Sequence, residues 1–252
     1  AFDINTIKTI LNDYSPNYTK EDLLAFYLFT GGVAKYVELL VQSNAFTLLE
    51  IINVIVSENS LFLDEGKQVL IEEFGKEYGN YFSILSLIAS GKTSRVEIES
   101  IMEIQTGGFL ERLENDFGLI RKVRPFNSKP NSRTLKYTID DNFLSFWFRF
   151  IYKYRSAVEA GNLEYIKEIL NRDYGTYSGE ILEKYFVEKM KLEKKYNSIG
   201  TYWERKNENE IDIVAINELE KKIVFAEVKR NPNKINPNLL IEKSQKLASN
   251  FN

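Results

Sequence analysis

The chain has 252 residues, 44% hydrophobic and 13% aromatic, with a formal net charge of −3. That is enough apolar material for one large core or two to three small ones. Cysteine and histidine are both absent, which excludes disulfides, thiolate or imidazole zinc sites, and Ser-His-Asp or Cys-His catalysis within the chain.

No run of eighteen apolar residues occurs, so no transmembrane helix is expected. AFDINTIKTI at the start lacks the basic residues and apolar core of a signal peptide. A cytoplasmic protein with no membrane partner is the expectation. The chain begins at Ala1 rather than Met, directly in a helix-like stretch.

Residues 19–29 read as an apolar-rich helix stopped by Gly31 and Gly32. A second helix runs to about Gln42 and a third covers 45–57, so residues 1–60 make a small helical segment. Helices over 65–78 and 81–90 open the next unit. SGKTS at 90–94 has the GKT of a phosphate-binding loop without its upstream glycine spacing or strand. It reads instead as a helix end and restart, with Ser94 and Glu97 as a capping box.

Short amphipathic helices over 95–102 and 107–117 precede two alternating strands, 119–123 and 134–139, around RPFNSKPNS. Two short helices and a hairpin give a winged helix-turn-helix over 61–140. The hairpin carries Arg121, Lys122, Arg124, Lys129, Arg133 and Lys136 without an acid between them, which suits phosphate contacts to nucleic acid, DNA first. The same charges would also keep an exposed hairpin soluble and its edges unpaired. Glu111, Glu114 and Asp116 against Arg112 make the second helix acidic, which favours packing or docking over groove reading.

FLSFWFRFIYKY at 143–154 is a core helix by its apolar content, within a helical linker over 141–177. A helix over 163–172 leads to GTYSG, read as a turn that bounds a last domain over 178–252. That domain opens with a helix over 178–189 and ends with one over 238–248.

Between these helices lie two apolar runs joined by the polar segment NELEKK. Ile211, Ile213 and Ala215 alternate with Asp212, Val214 and Ile216, and Ile223, Phe225 and Glu227 alternate with Val224, Ala226 and Val228. Apolar residues on both faces predict buried, antiparallel neighbours. With Ile216 opposite Ile223, Asp212 falls opposite Glu227, and Lys229 shares the face of Glu227. Adjacent carboxylates repel unless a cation lies between them. Mg²⁺ or Mn²⁺ suits Asp212 and Glu227 as ligands, with Lys229 orienting water or neutralising charge. The plain alternative is a charged strand end that meets solvent.

Trp203, Glu210, Ile211, Asp212 and the E-V-K of Glu227–Lys229 resemble the core of PD-(D/E)xK nuclease-like domains. More closely, they are similar to the version at the C-terminus of archaeal-type AAA+ (STAND-class) ATPases. The aromatic segment and TGGVAKYVELL at 30–40 resemble the same proteins, although Ala34 stands where the lid motif prefers proline. The resemblance implies a mainly α, then α/β chain: helical lid, winged helix, and a small mixed sheet flanked by helices. It implies Glu183 as an auxiliary catalytic acid, with Glu180 as the alternative, and help from Lys243, Gln245 or Lys246. It also implies an ATPase domain in cis, N-terminal to this chain, through which alone ATP would act. One or two further strands usually follow the last helix, so the sheet is expected to be incomplete. Three readings remain: a metal-dependent nuclease, a non-catalytic nucleic-acid-binding module, and a partner-docking regulatory region.

Overall fold

The structure is a computed structural model that describes residues 1–129, 132, 134–204 and 209–248. The described residues are mainly helical, with a two-stranded and a three-stranded sheet. The chain divides into two units: Ala1–Lys122 with Lys136–Tyr174, and Val123–Leu135 with Gly175–Asn252.

The first unit is built from α1 (Ile4–Tyr14), α2 (Lys20–Thr30), α3 (Ala34–Gln42), α4 (Leu48–Ile55), α5 (Leu61–Phe74), α6 (Tyr78–Ala89), α7 (Arg95–Met102) and α8 (Gly107–Asn115). The hairpin strands β1 (Ile120–Val123) and β2 (Lys136–Ile139) follow, then α9 (Asn142–Phe146), a π-helical turn over Trp147–Tyr152, α10 (Arg155–Glu159) and the start of α11 (Leu163–Leu192). Local chemistry explains many boundaries. Thr19 with Asp22, Thr47 with Glu50 and Ser94 with Glu97 form capping boxes, each satisfying backbone donors that the first turn leaves unpaired. Gly31 ends α2 in the left-handed region at φ 55°. SGKTS is indeed a helix end and restart: α6 stops at Ala89 and Ser94 caps α7.

α2 is buried on all sides from Asp22 to Thr30, because it packs on both α4 and α9. The Asp22 carboxylate ties two elements, accepting from the Thr19 N–H at 2.9 Å in the capping box of α2 and from the Leu48 N–H at 3.2 Å. Phe143, Phe146, Trp147, Phe148 and Phe150 are all buried, so the aromatic segment is core. The Trp147 indole donates to the Leu63 carbonyl at 3.0 Å, satisfying its polar handle inside that core. Residues from segments 1–60, 61–140 and 141–174 therefore meet in one core.

The turn expected at GTYSG does not form. α11 runs unbroken from Leu163 to Leu192, taking in the helix expected at 178–189. A helical glycine costs about 1 kcal/mol relative to alanine. Burial of Tyr177 and Ile181 outweighs the two glycines, since each side chain contributes about 1.5–3 kcal/mol.

The second unit holds the rest of α11, the antiparallel sheet β3 (Ser198–Tyr202), β4 (Ile211–Asn217) and β5 (Lys222–Ala226), and α12 (Pro237–Ala248). β4 is central and buried from Ile211 to Ala215, as its apolar faces require. β5 was also expected to be a buried central strand; it is an edge strand and only half-buried. Its pairing with β4 has the register expected, with Ile216 opposite Ile223 and Val214 opposite Phe225.

A β-bulge breaks the simple alternation expected of β4. Gly200 pairs with Val214 and Tyr202 with Ile211, so Thr201 alone faces Asp212 and Ile213. The extra residue rephases the strand. Ile211 and Val214 consequently join one cluster with Leu247, although three positions apart in a regular strand they would face opposite ways. Phe126, Tyr202, Ile223, Phe225 and Leu240 pack against this cluster. Phe126 comes from the loop between β1 and β2. Its N–H donates to the Thr201 carbonyl at 2.8 Å, and its ring lies over Gly200, where a Cβ would come within 2.8 Å of Cδ2. The loop thereby covers the outer edge of β3.

Candidate active site

The bulge lies at Asp212. Bulges near functional positions re-aim one side chain while the strand stays paired, and here the re-aimed side chain is an acid. The β4–β5 ladder ends with Ile213 opposite Ala226. Beyond it, the Val228 N–H donates to Asp212 Oδ2 at 2.8 Å. The carboxylate takes over the place of the next backbone acceptor and holds the chain after β5 against β4.

That anchoring brings the next side chains together. Lys229 Nζ lies 3.2 Å from Asp212 Oδ2 and 3.2 Å from Glu227 Oε1. The Asp212 and Glu227 side chains are only 11% and 14% exposed, so the two charges need a counter-ion and Lys229 supplies one. Burial pulls the Lys229 ammonium down, but Asp212 and Glu227 more than offset it and the net shift is upward.

Glu183, on α11, belongs to the same electrostatic group. Burial pushes its carboxyl up to about 8, aided by Asp212, Glu210 and Glu180 and opposed by Lys229. A carboxyl held neutral near pH 7 can donate a proton, as a general acid must. Glu180 is exposed. On α12, Lys243 donates to the Glu210 carbonyl at 3.0 Å, while Gln245 is exposed and Lys246 pairs with Glu242 at 3.5 Å. Lys243 is thus tied to the residue that immediately precedes β4.

Among the described residues, no three acidic side chains are grouped to hold a metal ion. Mg²⁺ does not need three, because it keeps several waters and binds through one or two carboxylates plus substrate phosphates. Val228 and Lys229 both bond to Oδ2 of Asp212, and the carboxylate pair beside Glu183 is the oxygen-donor chemistry that a hard cation selects.

The basic hairpin residues separate into two sets. Arg121 is paired with Asp140, and Lys122 with Glu114, whose carboxylate also accepts the Lys122 N–H at 3.2 Å. Glu114 raises the Lys122 pKa and outweighs its burial. Arg124 and Lys129 are exposed, Lys136 is half-buried, and Arg133 lies outside the described residues. Glu114 on α8 holds Lys122, and Asp116, just past the end of that helix, lies 3.5 Å from Arg112. Acids just outside the hairpin thus neutralise its first two cations.

Sequence reasoning missed the Val228 N–H as a partner of Asp212, the Glu210 carbonyl, and Phe126 as the clamp of the basic loop. A tertiary hydrogen bond to backbone leaves no residue signature. A lone phenylalanine in RPFNSK was a signal, since an aromatic inside a polar loop needs a surface to cover.

Residues 147–238 match the family model DUF234, described as archaeal and bacterial proteins of unknown function. The matched span contains Glu183, Asp212, Glu227 and Lys229. An uncharacterized protein of Methanocaldococcus jannaschii is 29% identical over 228 residues, which cover 87% of this chain and 50% of that protein. The chain spans about half the length of that relative. No solved structure matches the chain. Among the described residues, no helix is long and apolar enough to cross a membrane.

Proposed function

We propose that the chain carries a Mg²⁺- or Mn²⁺-dependent phosphodiesterase site of nuclease type. It would sit in a PD-(D/E)xK-like sheet and follow a winged-helix-like unit in the C-terminal part of an AAA+ type ATPase. The observation that carries this reading is the bridging of Asp212 and Glu227 by Lys229 at a bulge in a buried strand. A structural ion pair needs one acid; two buried acids sharing one lysine beside a third, proton-retaining acid form a costly arrangement that a function would justify.

Asp212 and Glu227 would hold the cation, which would polarise the phosphoryl group and acidify a water. Lys229, already within reach of both carboxylates, would orient the attacking water and offset charge on the phosphate. Glu183 would keep its proton near neutral pH and release it to the leaving oxygen. Asp212 would meanwhile stay positioned by the Val228 N–H.

Nicking of supercoiled plasmid with Mg²⁺ or Mn²⁺ tests the reading. The parent should nick, and Asp212→Ala and Lys229→Ala should lose at least about 100-fold in rate, the scale of removing an electrostatic catalytic group. Equal nicking by all three would end the proposal. The pairing of Arg121 and Lys122 with acids favours a second reading, in which the first unit docks a protein partner rather than duplex DNA.

A further inference from the structure

We infer that the loop between β1 and β2 is the phosphate-holding arm of the carboxylate site, with Arg124 and Lys129 gripping the backbone of a nucleic-acid strand. The inference rests on the nuclease-type reading for the identity of the strand's reacting group. Its physical basis is the order of elements across one end of the sheet.

Val228, after β5, bonds to Asp212 on β4; Asp212 lies opposite Thr201 on β3; and Thr201 accepts from the Phe126 N–H. These contacts place the loop in line with the carboxylates. Two strand spacings separate Asp212 from Phe126, about 10 Å.

Phe126 holds the described part of the loop, residues 124–129, at this place through its N–H bond and its ring over Gly200. Arg124 and Lys129 flank that anchor and are exposed. VRPFNSKPNSRTL contains no acid.

A polyanion approaching this site meets Asp212, Glu227 and Glu210. Lys229 is committed, because it lies between two of these carboxylates. Lys243 is held by the Glu210 carbonyl. A bound divalent ion would offset the acids locally, but a strand extending several nucleotides needs further positive charge along its track. The loop supplies that charge within the same unit as the carboxylates.

The test uses the full chain and a fluorescein-labelled single-stranded DNA oligonucleotide. Anisotropy is measured in Ca²⁺ across a salt series, and cleavage in Mg²⁺. Arg124→Ala/Lys129→Ala is compared with the parent and with Arg121→Ala, whose guanidinium is already paired. Thermal unfolding verifies that each variant is folded. Two lost phosphate contacts should lower the salt slope of log K by about 1.4 and weaken binding about ten-fold, with KM rising similarly and kcat unchanged. Arg121→Ala should match the parent. An unchanged slope in the double variant overturns the inference, and cleavage by the parent would then leave the nuclease reading standing. A lost slope in a chain that never cuts overturns the nuclease reading and retains the loop as a strand contact.

Discussion

The Val228 N–H donates to Asp212 Oδ2 at 2.8 Å, where the β4–β5 ladder would otherwise make its next backbone bond. Asp212 is therefore both a structural clamp and a candidate ligand, and two substitutions separate these roles. Asp212→Ala removes the acceptor and leaves a half-buried N–H unpaired, which costs about 1–3 kcal/mol. Asp212→Asn keeps an oxygen for Val228 while removing the charge. Urea unfolding should show a clear loss for the alanine variant and a smaller one for the asparagine variant. Both should lose nicking. An asparagine variant as unstable as the alanine variant would mean that the charge on Lys229, not the Val228 bond, holds this corner.

The pairing that makes this corner was legible in the sequence. Two apolar runs around a short polar connection leave few registers, and the hydrophobic faces select one. The bulge was not legible, because it needs no glycine and shows only through the partner strand, where Thr201 faces two residues. The capping box at Ser94 was readable because it is local. The clamp of Phe126 on Gly200 was not, because its partners are far apart in the chain. The continuity of α11 was misread because glycines weigh heavily in a local reading, while burial of Tyr177 and Ile181 is a tertiary effect.

Glu183 predicts a pH-dependent stability. Burial, then Asp212, raise its carboxyl from 4.5 to about 8 in the folded chain. Between those values the folded state binds more protons than the unfolded one, so the group's contribution makes stability fall as pH rises. Below about 4.5 the group costs nothing; above about 8 the full penalty is present. Glu183→Gln removes that penalty. The variant should match the parent near pH 4.5 and exceed it at pH 8 by about 2 kcal/mol after solvent screening is allowed for. Thermal melts across this range check the sign. A variant less stable than the parent at pH 8 would show that the ionised carboxylate is the favoured folded form.

The loop clamp predicts a coupled pair. A Cβ at position 200 would come within 2.8 Å of the Phe126 ring, so Gly200→Ala must displace that ring. Overpacking of this kind costs about 1–3 kcal/mol. In Phe126→Leu, where the ring is gone, the same glycine substitution should cost less by about 0.5–1 kcal/mol, the usual coupling of residues in contact. A double-mutant cycle by denaturant unfolding measures it. Additive effects would mean that the ring yields freely and does not fix the loop.

Lys122 and Arg121 should act on stability to different degrees. The Lys122 and Glu114 side chains are 28% and 21% exposed, and Glu114 also accepts the Lys122 backbone N–H. Arg121 and Asp140 are 53% and 55% exposed, where an ion pair contributes about 0–1 kcal/mol. Glu114→Ala removes both bonds from β1 and should destabilise the chain by about 1–2 kcal/mol. Asp140→Ala should change stability by less than about 0.5 kcal/mol. It should also release Arg121 and steepen the salt dependence of any DNA binding by less than about one unit. Urea unfolding and salt-dependent anisotropy on these two variants distinguish a structural pairing from a masked phosphate contact. Equal destabilisation by the two variants would contradict the ranking by exposure.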